Sequence, residues 1–253
     1  MSTVEQTENN QMKLKDQSKF SAVVFDFDGT LADSFQFILD VYTNEVSKKL
    51  PEVDSNNIIS IAQKILEEEI REKMKNPKTL ILRVFYKSCR ELGLGRSTSS
   101  YISLRSALKV QRHYNRVEIF PSAEEVLKEL NLEGIPTILI TLSSKKKVME
   151  ILEKHNIDQY FQIIIDKHDL GNVEKSKGIG NALEAMGINK QELARTIVLG
   201  DLPADIKDGK IAGTQTGALL TGPLEPIHLI DSEPDYVFQD LNEFLSIYKE
   251  KSQ

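Results

Sequence analysis

Apolar residues along the chain fall into two rhythms. Short, nearly continuous apolar runs occur at 21–26 (SAVVFD), 135–141 (IPTILIT), 161–166 (FQIIID), 196–200 (TIVLG) and 216–221 (TGALLT). They lack the alternation of a half-exposed strand and predict strands covered on both faces, as in a parallel sheet. Between them, apolar positions recur at helical spacing. Ser122 with Glu125 has the capping-box pattern ahead of Val126, Leu127 and Leu130. Ser143 or Ser144 is placed to cap a helix that carries Val148, Ile151 and Leu152 on one face. Ile179, Leu183 and Met186 share the face of another helix, which stops at Gly187. Strand and helix in alternation predict an α/β fold, a doubly wound parallel sheet.

The stretch 34–117 breaks this rhythm. It holds no strand pattern and reads as helices over about 34–50, 57–75, 79–92 and 101–116, punctuated by Pro51, Pro77 and the Gly93–Ser100 segment. The expected organisation is a polar tail over 1–19, an α/β core of 20–33 with 118–253, and a helical insertion of 34–117. The insertion is unevenly charged: Arg71 to Arg116 contains twelve Lys or Arg residues against Glu72 and Glu91 alone.

Composition changes this picture little. With 40% hydrophobic and 28% charged residues, the 253-residue chain has the make-up of an ordinary globular protein. No apolar run approaches the roughly 20 residues that span a bilayer, and the polar start lacks a secretory pattern. The single cysteine, Cys89, cannot form an internal disulfide and falls in an apolar helical stretch as a buried thiol. These features suit a reducing, cytoplasmic setting without membrane attachment. A formal net charge of −6 argues against general nucleic-acid binding. Oligomeric state is not legible.

The segment 22–34, AVVFDFDGTLADS, carries the strongest chemical signal. A buried strand ends in Asp26, followed by Asp28, Gly29 and Thr30. On an extended chain, side chains two apart project the same way, so both carboxylates can point to one side of the sheet's carboxyl edge. Turn chemistry explains Asp and Gly after a strand, but not an acid at the end of an apolar one. A carboxylate there is costly unless a cation offsets it.

This segment resembles the first motif of the haloacid dehalogenase superfamily, an apolar strand followed by DxDGT. The superfamily's other motifs follow in order: Thr141 ends the second strand run, a lysine precedes the helix after the third, and Gly200-Asp201-Leu-Pro-Ala-Asp205 follows the fourth. The likeness extends from about Phe20 to Tyr248. It implies a Rossmann-like core with a helical cap inserted after the first motif, as in the phosphoglycolate phosphatase and β-phosphoglucomutase group. It further implies a magnesium-dependent phosphatase for a small, anionic phosphate monoester. Asp26 would be the nucleophile that forms an aspartyl-phosphate, and Asp28 the acid and base. Thr141 and Lys175 would bind phosphate. Asp26, the backbone carbonyl of Asp28 and Asp201 would hold Mg2+, a hard ion that prefers oxygen. Asp205 would orient a water ligand or the lysine.

Lys175 and Lys177 both lie in NVEKSKGIGNALEAMGI. Lys175 fits the family spacing to Ile179 and Gly187, with Ser176 as N-cap and the lysine just outside the helix. The family often has Pro after this lysine, and this chain has Ser176. Many relatives have Asn or Gly after the threonine, and this chain has Leu142. A dehalogenase would need neither the second Asp nor the metal-binding acids. A phosphonate-cleaving enzyme would need an inserted-domain lysine such as Lys73 or Lys87. A phosphomutase could use every residue named, whereas a binding protein that kept the fold without turnover would be expected to lack a catalytic acid. The basic insertion, in the position of a substrate-selecting lid, suits a substrate with further negative charge or else is a solvated helical surface.

Overall fold

Strand β1 (Ala22–Phe25) has no polar side chain and is buried along its whole length, so it can only be a central strand. Around it assemble β2 (Thr137–Ile140), β3 (Ile163–Ile165), β4 (Thr196–Gly200), β5 (Gln215–Leu219) and β6 (Tyr236–Phe238). Every neighbouring pair is parallel, in the order β3-β2-β1-β4-β5-β6. This is the predicted α/β, doubly wound sheet. Strand order reverses between β1 and β4, where such sheets place their ligand crevice. Phe25 is level with Leu139 of β2 and Leu199 of β4, so three strand ends are brought side by side. The computed structural model describes residues 19–71 and 79–250. Residues 1–18 of the tail expected over 1–19, and the predicted helix end at 72–75, lie outside them.

The chain divides into two compact units, Met1–Asp33 with Glu118–Gln253, and Ser34–Val117. The second contains α1 (Ser34–Ser47), α2 (Ser55–Arg71), α3 (Leu80–Glu91) and α4 (Arg96–His113). Its core holds Leu39, Tyr42, Ile58, Phe85 and Cys89, with the Tyr42 and Phe85 rings stacked at 4.4 Å. Helix α4 begins inside the segment expected to be a break. Two of its serines place their hydroxyls on the preceding turn, Ser99 on Gly95 O at 3.0 Å and Ser103 on Ser99 O at 2.6 Å. Two buried glutamates organise the surface charge. Glu45 accepts from Lys48 and Lys109 at 2.5 Å and from Arg105 at 2.6 Å. Glu69 accepts from Arg83 at 2.7 Å and Lys87 at 2.6 Å. The excess of positive charge between 71 and 116 is therefore partly matched in space by acids that precede it in sequence.

The first unit adds α5 (Pro121–Leu132), α6 (Lys145–Lys154), α7 (Lys167–Leu170), α8 (Lys175–Ala185), α9 (Lys190–Leu193), α10 (Pro203–Ala212), α11 (Pro226–Ile230) and α12 (Leu241–Glu250). Three helix starts differ from expectation. Helix α5 starts at Pro121, which suits the first helical position, and Ser122 makes no cap. Ser144 flanks α6, but its side chain does not cap; the Lys145 N–H donates instead to Asp166 Oδ2 at 2.6 Å. Helix α8 begins at Lys175 itself, with Ser176 inside its first turn. Strand β6 had no counterpart in the apolar pattern, because three residues flanked by acids give too short a run. It is fixed by Asp235, whose Oδ2 accepts from Thr216 N and Oγ1 at 2.8 and 2.9 Å. Among the described residues, no helix is long and apolar enough to cross a membrane.

Burial alone would raise the Glu45 carboxyl, but hydrogen bonds from Lys109, Lys48 and Arg105 outweigh it and hold the group at about 2. A carboxyl depressed in the folded state stabilises above its ordinary value of 4.5, and that stabilisation is lost as pH falls toward about 2. Glu45→Gln should cost about 1–3 kcal/mol at pH 7, read by urea unfolding. The gap to wild type should shrink below pH 4.5; a gap that is constant through this range would contradict the charge network.

Candidate active site

β1 stops at Phe25, and the next residues turn over the sheet edge. Phe27 is buried, while Asp26 and Asp28 on either side are half-buried, as the strand alternation requires. Gly29, at φ +80°, closes the turn with its N–H on Ala32 O at 2.8 Å. Thr221, just past β5, donates to Gly29 O at 2.6 Å and ties the turn to the neighbouring loop.

Asp201 lies two residues beyond Leu199 and is 2% exposed. It sits between two glycines: a Cβ at either Gly29 or Gly222 would fall 2.2 Å from its Oδ2. Thr30 donates to its other oxygen at 3.2 Å. Asp205, in the first turn of α10, accepts the Leu202 N–H at 3.1 Å. Lys175 reaches in from the first turn of α8 and donates to both Asp26 Oδ1 and Asp205 Oδ1 at 2.6 Å. Lys177 is exposed and is not in the cluster. Asp208, from α10, lies near Lys175 and Asp205; burial raises its carboxyl, Lys175 opposes this and Asp205 reinforces it.

One carboxylate oxygen from each of Asp26, Asp201 and Asp205 lies within 4.8 Å of the others. Burial pushes the Asp26 carboxyl up; Lys175 opposes this, Asp205 and Asp28 reinforce it, and the group lies at about 7. Asp201 is raised by burial, then by Asp205 and Asp26. Burial would lower Lys175, but its two carboxylate partners outweigh that and raise it above the ordinary lysine value. Three clustered acids, two of them paired with the one lysine, therefore outnumber it, and the site favours an added cation.

Thr141 joins the cluster at one remove. It is buried just past β2, its Oγ1 accepts the Ser143 N–H at 3.0 Å, and the Ser143 hydroxyl donates to Asp28 Oδ2 at 2.6 Å. Sequence reasoning missed Thr30, Ser143, Asp208, Thr221 and Gly222 as neighbours of these acids. Thr30 was within the motif, and Ser143 had been read as a helix cap. Thr221 and Gly222 follow the last residue of β5, and that edge position was their one signal. In the helical unit, Lys87 is held by Glu69, and Lys73 lies outside the described residues.

The fold and the cluster define an α/β protein with an acidic, lysine-bearing centre at the switch point of its sheet. Residues 23–219 match the haloacid dehalogenase-like hydrolase family, and the chain belongs to that family of enzymes. A provisionally named pyrophosphatase PpaX from Caldanaerobacter subterraneus is 29% identical over 239 residues, covering 91% of this chain and 96% of the relative. A phosphoglycolate phosphatase from Vibrio parahaemolyticus is 26% identical over 242 residues, covering 91% and 97%. Among solved structures, Bacillus subtilis YfnB bound to magnesium superposes with a TM-score of 0.65 at 17% identity, covering 92% of this chain and all of that one (100%).

Close packing against Asp201 leaves no room for a side chain at Gly222. Gly222→Ala should destabilise the protein by about 1–3 kcal/mol in thermal unfolding. Gly180→Ala, in α8 with nothing within 4 Å of an added Cβ, should stabilise it by about 0.5–1 kcal/mol. Equal effects at the two positions would contradict the packing described.

Proposed function

We propose that the protein is a magnesium-dependent phosphatase that hydrolyses a small, anionic phosphate monoester through an aspartyl-phosphate on Asp26. The observation that carries this reading is the ion-paired set Asp26–Lys175–Asp205 with Asp201, where clustered acids outnumber the lysine three to one. Anionic oxygens and no nitrogen or sulfur donors suit a hard divalent ion. Asp26 and Asp201, with the backbone carbonyl of Asp28, would hold Mg2+, which when bound offsets the repulsion between carboxylate and phosphate and polarises the phosphoryl group.

In this reading, Lys175 and Thr141 bind the phosphate oxygens, and Lys175 also holds Asp26 in place. Asp26 attacks phosphorus, the bond to the leaving oxygen breaks, and that oxygen takes a proton from Asp28. Water then attacks the aspartyl-phosphate, giving its proton to Asp28 while the phosphorus–oxygen bond to Asp26 breaks. Asp205 keeps Lys175 aimed at the nucleophile. The division into a hydrolase core, 20–33 with 118–253, and a substrate-selecting helical cap, 34–117, is part of the same proposal and is supported by the two compact units. Two relatives named for phosphate release, a pyrophosphatase and a phosphoglycolate phosphatase, support the reaction class. A phosphorylated carboxylic acid such as phosphoglycolate is the substrate type we favour.

Purified protein incubated with a panel of phosphate monoesters should release phosphate with Mg2+ and not with a chelator. Asp26→Asn should lose at least about a thousandfold in kcat, as removal of a nucleophile does elsewhere. Release that persists in Asp26→Asn would remove Asp26 from the mechanism. Isomerised sugar phosphate in place of free phosphate would replace the phosphatase by a phosphomutase.

A further inference from the structure

The nucleophile of the proposed mechanism, Asp26, is held by Lys175, and the acid–base residue, Asp28, has a contact on the loop after β2. There its Oδ2 receives the Ser143 hydroxyl at 2.6 Å. Ser143 is itself fixed from behind, because its backbone N–H donates to Thr141 Oγ1 at 3.0 Å. Thr141 in turn is anchored to the sheet by its N–H on Ile165 O at 3.0 Å. A chain of three hydrogen bonds thus runs from β3 through Thr141 and Ser143 to Asp28.

We propose that Ser143 is a positioning residue that holds the Asp28 carboxyl toward the leaving group. The inference rests on the phosphatase reading above. Its chemical basis is that a neutral hydroxyl can donate to one carboxyl oxygen whichever protonation state the group is in. A lysine beside Asp28 would instead favour the charged state. With Oδ2 engaged by Ser143, Oδ1 carries the proton that passes to the leaving oxygen. The serine therefore keeps the same contact while Asp28 gives a proton in the first half-reaction and takes one in the second. The side chain is short and its backbone is held by Thr141, so the contact leaves Asp28 little choice of rotamer.

This role differs from ordinary structural support in how its loss depends on substrate. A leaving oxygen of low basicity departs with little help, while an alkoxide needs a proton in the transition state. The test is kcat/KM for Ser143→Ala and Ser143→Thr with two probes, p-nitrophenyl phosphate and a simple alkyl phosphate, in the presence of Mg2+. This ratio reports the steps up to departure of the leaving group and excludes hydrolysis of the phosphoenzyme. Ser143→Ala should lose about tenfold more on the alkyl ester than on p-nitrophenyl phosphate. Ser143→Thr, which keeps the hydroxyl, should recover most of that difference. Thermal unfolding of both variants should stay within about 3 °C of wild type, since one contact at the sheet edge is removed. Equal losses on the two esters, or no loss on either, would overturn the assignment while leaving the phosphatase reading intact. A wild-type enzyme inactive on both would overturn the phosphatase reading and this inference with it.

Discussion

One lysine set against three clustered carboxylates is the interaction on which the site depends. Lys175 holds Asp26 and Asp205 together at 2.6 Å each, and Asp201 lies beside them without a cation of its own among the described residues. Such a cluster is unfavourable in isolation, since burial and mutual repulsion both oppose charge on the acids. Proteins keep arrangements of this kind where an incoming group completes them. In the proposed reading a divalent cation and a phosphate together would do so: the cation would offset the acids, and the phosphate would meet Lys175 and Thr141.

The sheet makes this possible through placement. Because β2, β1 and β4 are parallel and in step, the residues beyond Leu139, Phe25 and Leu199 emerge along one edge. Each strand is apolar up to its end, and the first polar residue past the end of each is one to which the proposed mechanism gives a role. The predicted strands overran by a residue or so for this reason, since Asp26, Thr141 and Asp166 were counted within the runs. Close approach then depends on the absence of side chains at Gly29 and Gly222, which clasp Asp201 from two loops distant in sequence.

How much was legible in the sequence follows from the range of each interaction. The parallel sheet, the helical stretch after β1 and the acids at strand ends are local patterns, and β1, β2 and β4 emerged from uninterrupted apolar runs. What was not legible depends on pairings across the fold. Ser122 has the local signature of a cap, yet Pro121 starts the helix. Ser144 and Ser176 also look like caps, yet Asp166 takes that role for α6, α8 starts one residue before Ser176, and no local pattern encodes a partner 21 residues away. The charge imbalance of the insertion was similarly misleading, because Glu45 and Glu69 answer it from earlier helices. Spacing favoured Lys175 over Lys177, and the geometry puts Lys175 among the acids, but its reach depends on how α8 and α10 pack.

The most direct test of the central claim is calorimetric titration of Mg2+ into metal-free protein, with Asp201→Asn alongside. The account predicts one ion bound per chain by the wild type, and binding weakened at least about tenfold in the variant, which keeps the shape and removes one of the charges. Absence of Mg2+ binding by the wild type, or equal binding by Asp201→Asn, would contradict it.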